Sequence, residues 1–270
     1  MLCVFDYLIS VYKKDEGVAD TSFIIKDDFT IKMILTALNI VYLIFCYIQI
    51  KSLFLRKVDI DYAQYARQGF FQLMIVSFIN LVTILIAKKS EEPNRKNSYI
   101  SIMSLIMIGF TFIILISSAV RMYFYESAYG YTLLRLLVYC ALFTEAILFI
   151  PTILYIKGQK INLVKTYFTI ILTIYVGMNF MNFDNIIAKR NVDRYIETGK
   201  IDMNYIKFET GTDAVKQITR ILEVNTNADN VKDDARRYLK NIYDELDETF
   251  DIREFNISKV FAQYLIEEKL

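Results

Sequence analysis

The chain has 270 residues, a net charge of +1 and 55% hydrophobic residues, yet 23% of its residues are charged, close to the ordinary soluble share. The near-zero balance argues against nucleic acid as a partner, which requires a basic excess on some domain. With no histidine at all, the chain lacks the commonest general base and metal ligand, and with them every Ser/His or Cys/His nucleophile arrangement.

A high apolar content and an ordinary charged content coexist only if the two are segregated along the chain. They are: 163–183 holds one charge, Lys165, whereas everything from Asp184 onward is crowded with both signs. Three cysteines, Cys3, Cys46 and Cys140, stand singly. Without a C-x-x-C pair they support neither a disulfide framework nor a zinc site, and no metal or other cofactor is expected.

The opening "MLCVFDYLISVYKKDE" has no basic n-region, and Asp6 interrupts a short apolar stretch, so it does not read as a signal peptide. Residues 1–30 are taken as an interfacial helix or the remnant of a further membrane helix. Five apolar windows follow, at 31–55, 69–87, 100–120, 132–156 and 163–183. Each approaches the roughly 20 apolar residues that cross a bilayer. Phe and Tyr crowd their ends and, with no Trp in the chain, form the interfacial aromatic belt. The expected fold is all-α, a polytopic bundle of about five transmembrane helices over 31–183 with a small soluble helical domain at 184–270. Lys and Arg divide almost evenly between the two faces, so the loop-charge rule leaves orientation open.

In the tail, Ala214, Ile218, Ile221 and Leu222 share one helical face, with Thr210 or Thr212 placed to cap it. Ala235, Tyr238, Leu239, Ile242 and Leu246 form a second stripe. Ile257, Val260, Phe261, Tyr264 and Leu265 form a third. The breaks fall at "ETGTD" and "VNTNAD", giving a bundle of three or four short helices. It caps the membrane domain or binds a protein partner.

Ionisable and amide groups inside spans are costly and face protein or water. Glu145 lies near the middle of the fourth window, and Pro151 beyond it leaves the carbonyl of Ile147 without its helical donor, so a kink is expected there. Asn39 and Asn80 sit mid-span in the first two windows, where amides bond across helices; a solute path through Asn39, Asn80 and Glu145 is the alternative. Three polar segments meet on one membrane face: Arg67 and Gln68, then Arg121, Glu126, Tyr129 and Arg135 around a turn supplied by Gly130, then Asp184, Asn185, Asn191 and Arg194. They form either a network that fixes helices at the interface, the preferred reading, or a site for an anionic lipid headgroup.

The ordered motifs "YAQYARQGFFQL", "SSAVRMYFYESAYGYTLLRL", "NFDNIIAKRNVDRYIETGKIDMNYI" and "TDAVKQI" resemble a family of uncharacterised bacterial polytopic membrane proteins, the domain of unknown function 4173, with 4153 as a relative. The likeness runs from about Ile31 to Ile218, and Glu145 lies outside the family pattern. The resemblance implies a bacterial inner-membrane location and an N-terminally shortened chain, and it implies no particular activity. No P-loop, dinucleotide, nucleophile-elbow or zincin motif occurs, and the chain is not expected to be an enzyme. The function expected is that of an envelope-associated scaffold, sensor or regulator in the bilayer, its tail cytoplasmic. The alternatives are a transporter component and an interfacial enzyme on a lipid-linked substrate.

Overall fold

A computed structural model describes residues 28–55, 60–90, 98–224, 229–248 and 257–269. Backbone alone is described at 28, 52–55, 60–68, 229, 247–248, 257 and 269. The expectations for Cys3 and for an N-terminal helix remnant lie outside the described residues.

Every element is helical, and no strand occurs among the described residues. The membrane part comprises α1 (Asp28–Leu55), α2 (Ile60–Lys89), α3 (Ser98–Tyr129), α4 (Leu133–Ile156) and α5 (Leu163–Asn179). The tail comprises α6 (Phe183–Thr198), α7 (Met203–Glu209), a 3-10 turn (Thr212–Ala214), α8 (Val215–Glu223), α9 (Asp229–Glu248) and α10 (Ile257–Lys269). The protein is an all-α polytopic bundle carrying a helical tail.

At 1.5 Å per residue, the 32 residues of α3 reach about 48 Å, beyond a bilayer and its headgroups at roughly 40–45 Å. α3 is therefore long enough for its ends to reach past the roughly 30 Å hydrocarbon core. α3 is the hub: α1, α2 and α4 all pack against it, and α5 packs mainly on α4. Its buried positions Ile100, Ser104, Met107, Thr111, Ile114, Ser118 and Arg121 alternate steps of four and three, a coiled-coil seam. Ser104, Thr111 and Ser118 recur every seventh residue, and small residues at such spacing let helix backbones approach closely. The Ser118 hydroxyl donates to the carbonyl of Phe70 in α2 at 3.3 Å.

Four helices qualify singly as spans: Phe29–Lys51, Gly69–Lys89, Ser98–Tyr129 and Leu133–Ile156. The window 163–183 is a different matter. α5 has 17 residues, about 26 Å of helix, and reaches span length only together with α6, from which it is bent by 65°. The break has a local cause. Asn182 turns its side chain onto the backbone N–H of Asn185 at 3.0 Å, capping a new helix.

The tail has its own apolar core, in which Ala188, Val192, Tyr195, Ile206, Ile218, Ile221, Ala235 and Leu239 are buried. The first stripe holds, with Ala214, Ile218 and Ile221 buried and Leu222 packed at the edge. So does the second, with Ile242 at the edge. The third is rotated: Val260, Phe261 and Tyr264 are exposed, while Ala262 and Ile266 enter the core beside a half-buried Leu265. Neither threonine caps α8. Thr210 turns its hydroxyl back to the carbonyl of Ile206 at 2.7 Å, and a 3-10 turn leads into the helix instead.

Candidate functional site

The polar residues of the membrane face sort into two contact sets around the α3–α4 turn. Gly130 builds that turn: its φ of +88° is in the left-handed region that favours glycine, and its N–H closes α3 on the carbonyl of Glu126 at 2.7 Å. A second constraint acts on the same residue. A Cβ at Gly130 would lie 2.8 Å from Asn191 Oδ1, so the turn is also the place where the tail touches the membrane helices.

That touch uses backbone groups. Tyr131 donates its N–H to Asn191 Oδ1 at 2.9 Å, and Asn191 Nδ2 donates to the Tyr131 carbonyl at 2.8 Å, so the side-chain amide pairs with a peptide group as a neighbouring strand would. One turn further along α6, Arg194 donates Nε to the carbonyl of Ser127 at 3.0 Å and Nη2 to that of Ala128 at 2.6 Å. Those carbonyls lack helical donors at the negative end of α3, where a cation is favoured. Tyr205 of α7 completes the grip, its hydroxyl oxygen accepting from the N–H of Leu133 at 2.8 Å. Arg135 closes the turn from inside, donating Nη1 to the Gly130 carbonyl with its guanidinium 4.4 Å from the centre of the Tyr125 ring.

The other set lies deeper. Arg121 is 3% exposed, and its Nη2 donates to Gln49 Oε1 of α1 at 2.8 Å. It fits because α2 has no side chain where it passes: a Cβ at Gly69 would lie 2.6 Å from Arg121 Nη1. Glu126 is 2% exposed; its Oε2 accepts from the Tyr139 hydroxyl at 3.0 Å, while Oε1 is buried without a hydrogen-bond partner. Arg135 and Arg190 both act on this carboxylate through space.

Of the residues singled out from sequence, Glu126, Arg135 and Asn191 thus meet around one turn, whereas Arg121 is drawn away to Gln49 of α1. Tyr129 is half exposed and stacks near Tyr125, ring centres 5.0 Å apart. Asp184 leaves the cluster; its Oδ2 accepts from the Gly211 N–H at 3.0 Å, inside the tail. The side chains of Arg67 and Gln68 lie outside the described residues.

At mid-depth, Asn39 Nδ2 donates to the carbonyl of Met103 at 3.1 Å, and Asn80 Nδ2 to Thr111 Oγ1 at 3.0 Å. Ser77 donates to Glu145 Oε2 at 3.0 Å. Asn39 Oδ1, Asn80 Oδ1 and Glu145 Oε1 are buried without hydrogen-bond partners. Among the described residues no group of three or more Cys, Asp or Glu is placed to hold a metal ion.

Sequence reasoning did not single out Gln49, Ser77, Gly69 as a contact, Tyr139 or Tyr205. Gly69, alone in an apolar helix, and the seven-residue recurrence of Ser104, Thr111 and Ser118 were the legible signals. Nothing in the sequence pairs Tyr205 with Leu133, since 72 residues separate them.

The chain matches the family Domain of unknown function (DUF4153) over residues 7–221. No curated protein and no solved structure matches it. The match covers most of the chain, including the three motif segments around the α3–α4 turn, and is to the family given above as the relative of 4173. The chain belongs to the DUF4153 family, and is an integral, multi-pass membrane protein.

Proposed function

We propose that the protein is a membrane-embedded sensor or regulatory scaffold of the bacterial plasma membrane, in which the tail reports the position of the α3–α4 turn. One observation carries the reading: Asn191 and Arg194 hold the tail to the membrane helices through backbone groups of Ser127, Ala128 and Tyr131. Flexible side-chain pairs at a surface give way under small displacements. A peptide-like amide pair does not, so a shift of the turn moves α6 and the core packed on it. Protein partners are then met by 184–270, which lies on the cytoplasmic side: Lys189, Arg190 and Arg194 stand at that face, and no folded helical domain needs export.

Spin labels at the exposed positions Tyr123 and Lys240 test this in the full chain. The wild type gives one narrow distance distribution, and Asn191→Ala with Arg194→Ala gives a broad one while the spans stay folded. An unchanged narrow distribution in the double variant overturns the coupling.

The unpartnered buried oxygens of Asn39, Asn80 and Glu145 favour a second reading, a component of a transporter. Potential-driven acidification of reconstituted vesicles, lost in Glu145→Gln at equal folded protein, supports it. Equal acidification by both proteins, or none by either, retires the proton form of that reading.

A further inference from the structure

We propose that the cavity enclosed by the ends of α2, α3 and α4 on the tail side is a binding site for the phosphate group of an anionic lipid. The cavity has a volume of about 290 Å³ and is walled by Phe70 and Phe71 of α2, Met122 and Tyr125 of α3, Thr132 just before α4, and Arg135 of α4. Its walls are largely apolar, and one cation stands at its edge. The cavity lies beside the α3–α4 turn, and the non-helical backbone of a turn between two spans stays outside the hydrocarbon core, at the level where phosphates are concentrated.

Arg135 is held in place before any ligand arrives. Its guanidinium lies over the Tyr125 ring, an arrangement that favours a cation, and one of its N–H groups is fixed on the Gly130 carbonyl. The fork still has donors for a phosphate, which guanidinium recognises with two parallel bonds. Arg190 and Arg194 lie around the same turn. They outnumber the Glu126 carboxylate, which is buried away on Tyr139.

The apolar part decides between a lipid and a free phosphate. Phe71 and Leu134 border the cavity with 40% and 66% of their surface exposed, on the side where the helices meet bilayer. A phosphate seated on Arg135 with acyl chains running down over Phe71 and Leu134 covers this surface. A free phosphate leaves it wet. The site itself stands without the sensor reading. That occupancy shifts the turn, through the Arg135 bond to Gly130, rests on that reading.

The test is the thermal midpoint of the full chain in a neutral detergent, titrated with short-chain phosphatidylglycerol, short-chain phosphatidylcholine or inorganic phosphate. The expected result is a saturable rise with phosphatidylglycerol alone. Loss of a charge-assisted pair predicts an apparent affinity about tenfold weaker in Arg135→Gln, partly restored in Arg135→Lys. Leu134→Trp fills the mouth without touching Arg135 and keeps the test decisive if Arg135→Gln does not fold; it too loses the response. An equal rise with phosphatidylcholine, or an undiminished rise in Leu134→Trp, overturns the site. A rise of the same size with inorganic phosphate overturns the lipid and leaves a free-anion site. Lipid binding that leaves the Tyr123–Lys240 distance unchanged refutes the sensor reading and spares the cavity.

Discussion

The membrane helices and the tail choose their buried faces by different criteria. In the tail, Ile218, Ile221 and Leu239 are inside because water surrounds the bundle and apolar area leaves it. In α3, Ser104, Thr111 and Ser118 are inside, while Ile102, Ile106 and Ile116 are exposed. Lipid tails are as apolar as isoleucine, so burying an aliphatic side chain gains little there; close packing and hydrogen bonds decide instead. Apolarity alone therefore finds the core of the tail, whereas in α3 it marks both the buried seam (Ile100, Met107, Ile114) and the exposed face (Ile102, Ile106, Ile116).

Substitutions that exchange the two criteria show how far the contrast goes. Gly69→Leu should have the largest effect. It overpacks the α2–α3 seam and drives Arg121 from Gln49, costing about 4 kcal/mol or more, read as loss of the folded protein in detergent. A tolerated Gly69→Leu would mean that the close approach is not what orders the bundle. Ile218→Ala, in the tail core, should cost about 3 kcal/mol by cavity formation and unfold the tail while the spans keep their helicity. If both unfold in one transition, the two halves are a single cooperative unit.

A smaller effect separates them by pH. Burial pushes the Tyr238 hydroxyl up to about 12, where it donates to the Gly211 carbonyl at 2.9 Å. A folded-state value above the unfolded one, near 10, means its contribution is complete below pH 10 and lost as pH rises through 12. Tyr238→Phe should cost about 1 kcal/mol at neutral pH and flatten that alkaline decline, measured by chemical unfolding of the tail at graded pH. Ser104→Ala should be smallest. Its hydroxyl is buried without a hydrogen-bond partner, so removal changes stability by less than about 1 kcal/mol, in either direction. A larger loss would show that the hydroxyl serves a group, such as a water, within the seam.

The same contrast explains what was legible. Runs of apolar residues announced four spans and the start of the tail, because length and hydropathy are one-dimensional properties. The fifth window runs past its helix because hydropathy continues through Phe180 and Met181, whereas α5 ends at Asn179 and Asn182 caps a new helix; the window reaches span length as part of the bent α5–α6 pair. The tail stripes Ala214–Ile221 and Ala235–Leu246 were readable, since water selects faces by apolarity. The α10 stripe was read on the wrong face: Phe261 and Tyr264 drew attention as large apolar side chains, but Ala262 and Ile266 are the ones buried in the tail core. Within the bundle, Arg121 and Glu126 were visible as residues out of place in an apolar context, and Asn191 through the polar segment that follows the last apolar window. Their partners were not, because Gln49, Tyr139 and the backbone of Tyr131 come together only in three dimensions.

One dimension of α5 has a further consequence. About 26 Å of helix stands in a hydrocarbon layer of roughly 30 Å, and Phe180 just past its end is 86% exposed. Among the described residues α5 packs mainly on α4, so a span begun by α5 meets this hydrophobic mismatch chiefly through the bilayer, which thins around it or draws it inward. The tail begins three residues beyond the end of α5. On the sensor reading proposed above, bilayer thickness would act as a pull on α6, the same helix that grips the α3–α4 turn, and lipid chain length would be a mechanical input to the tail.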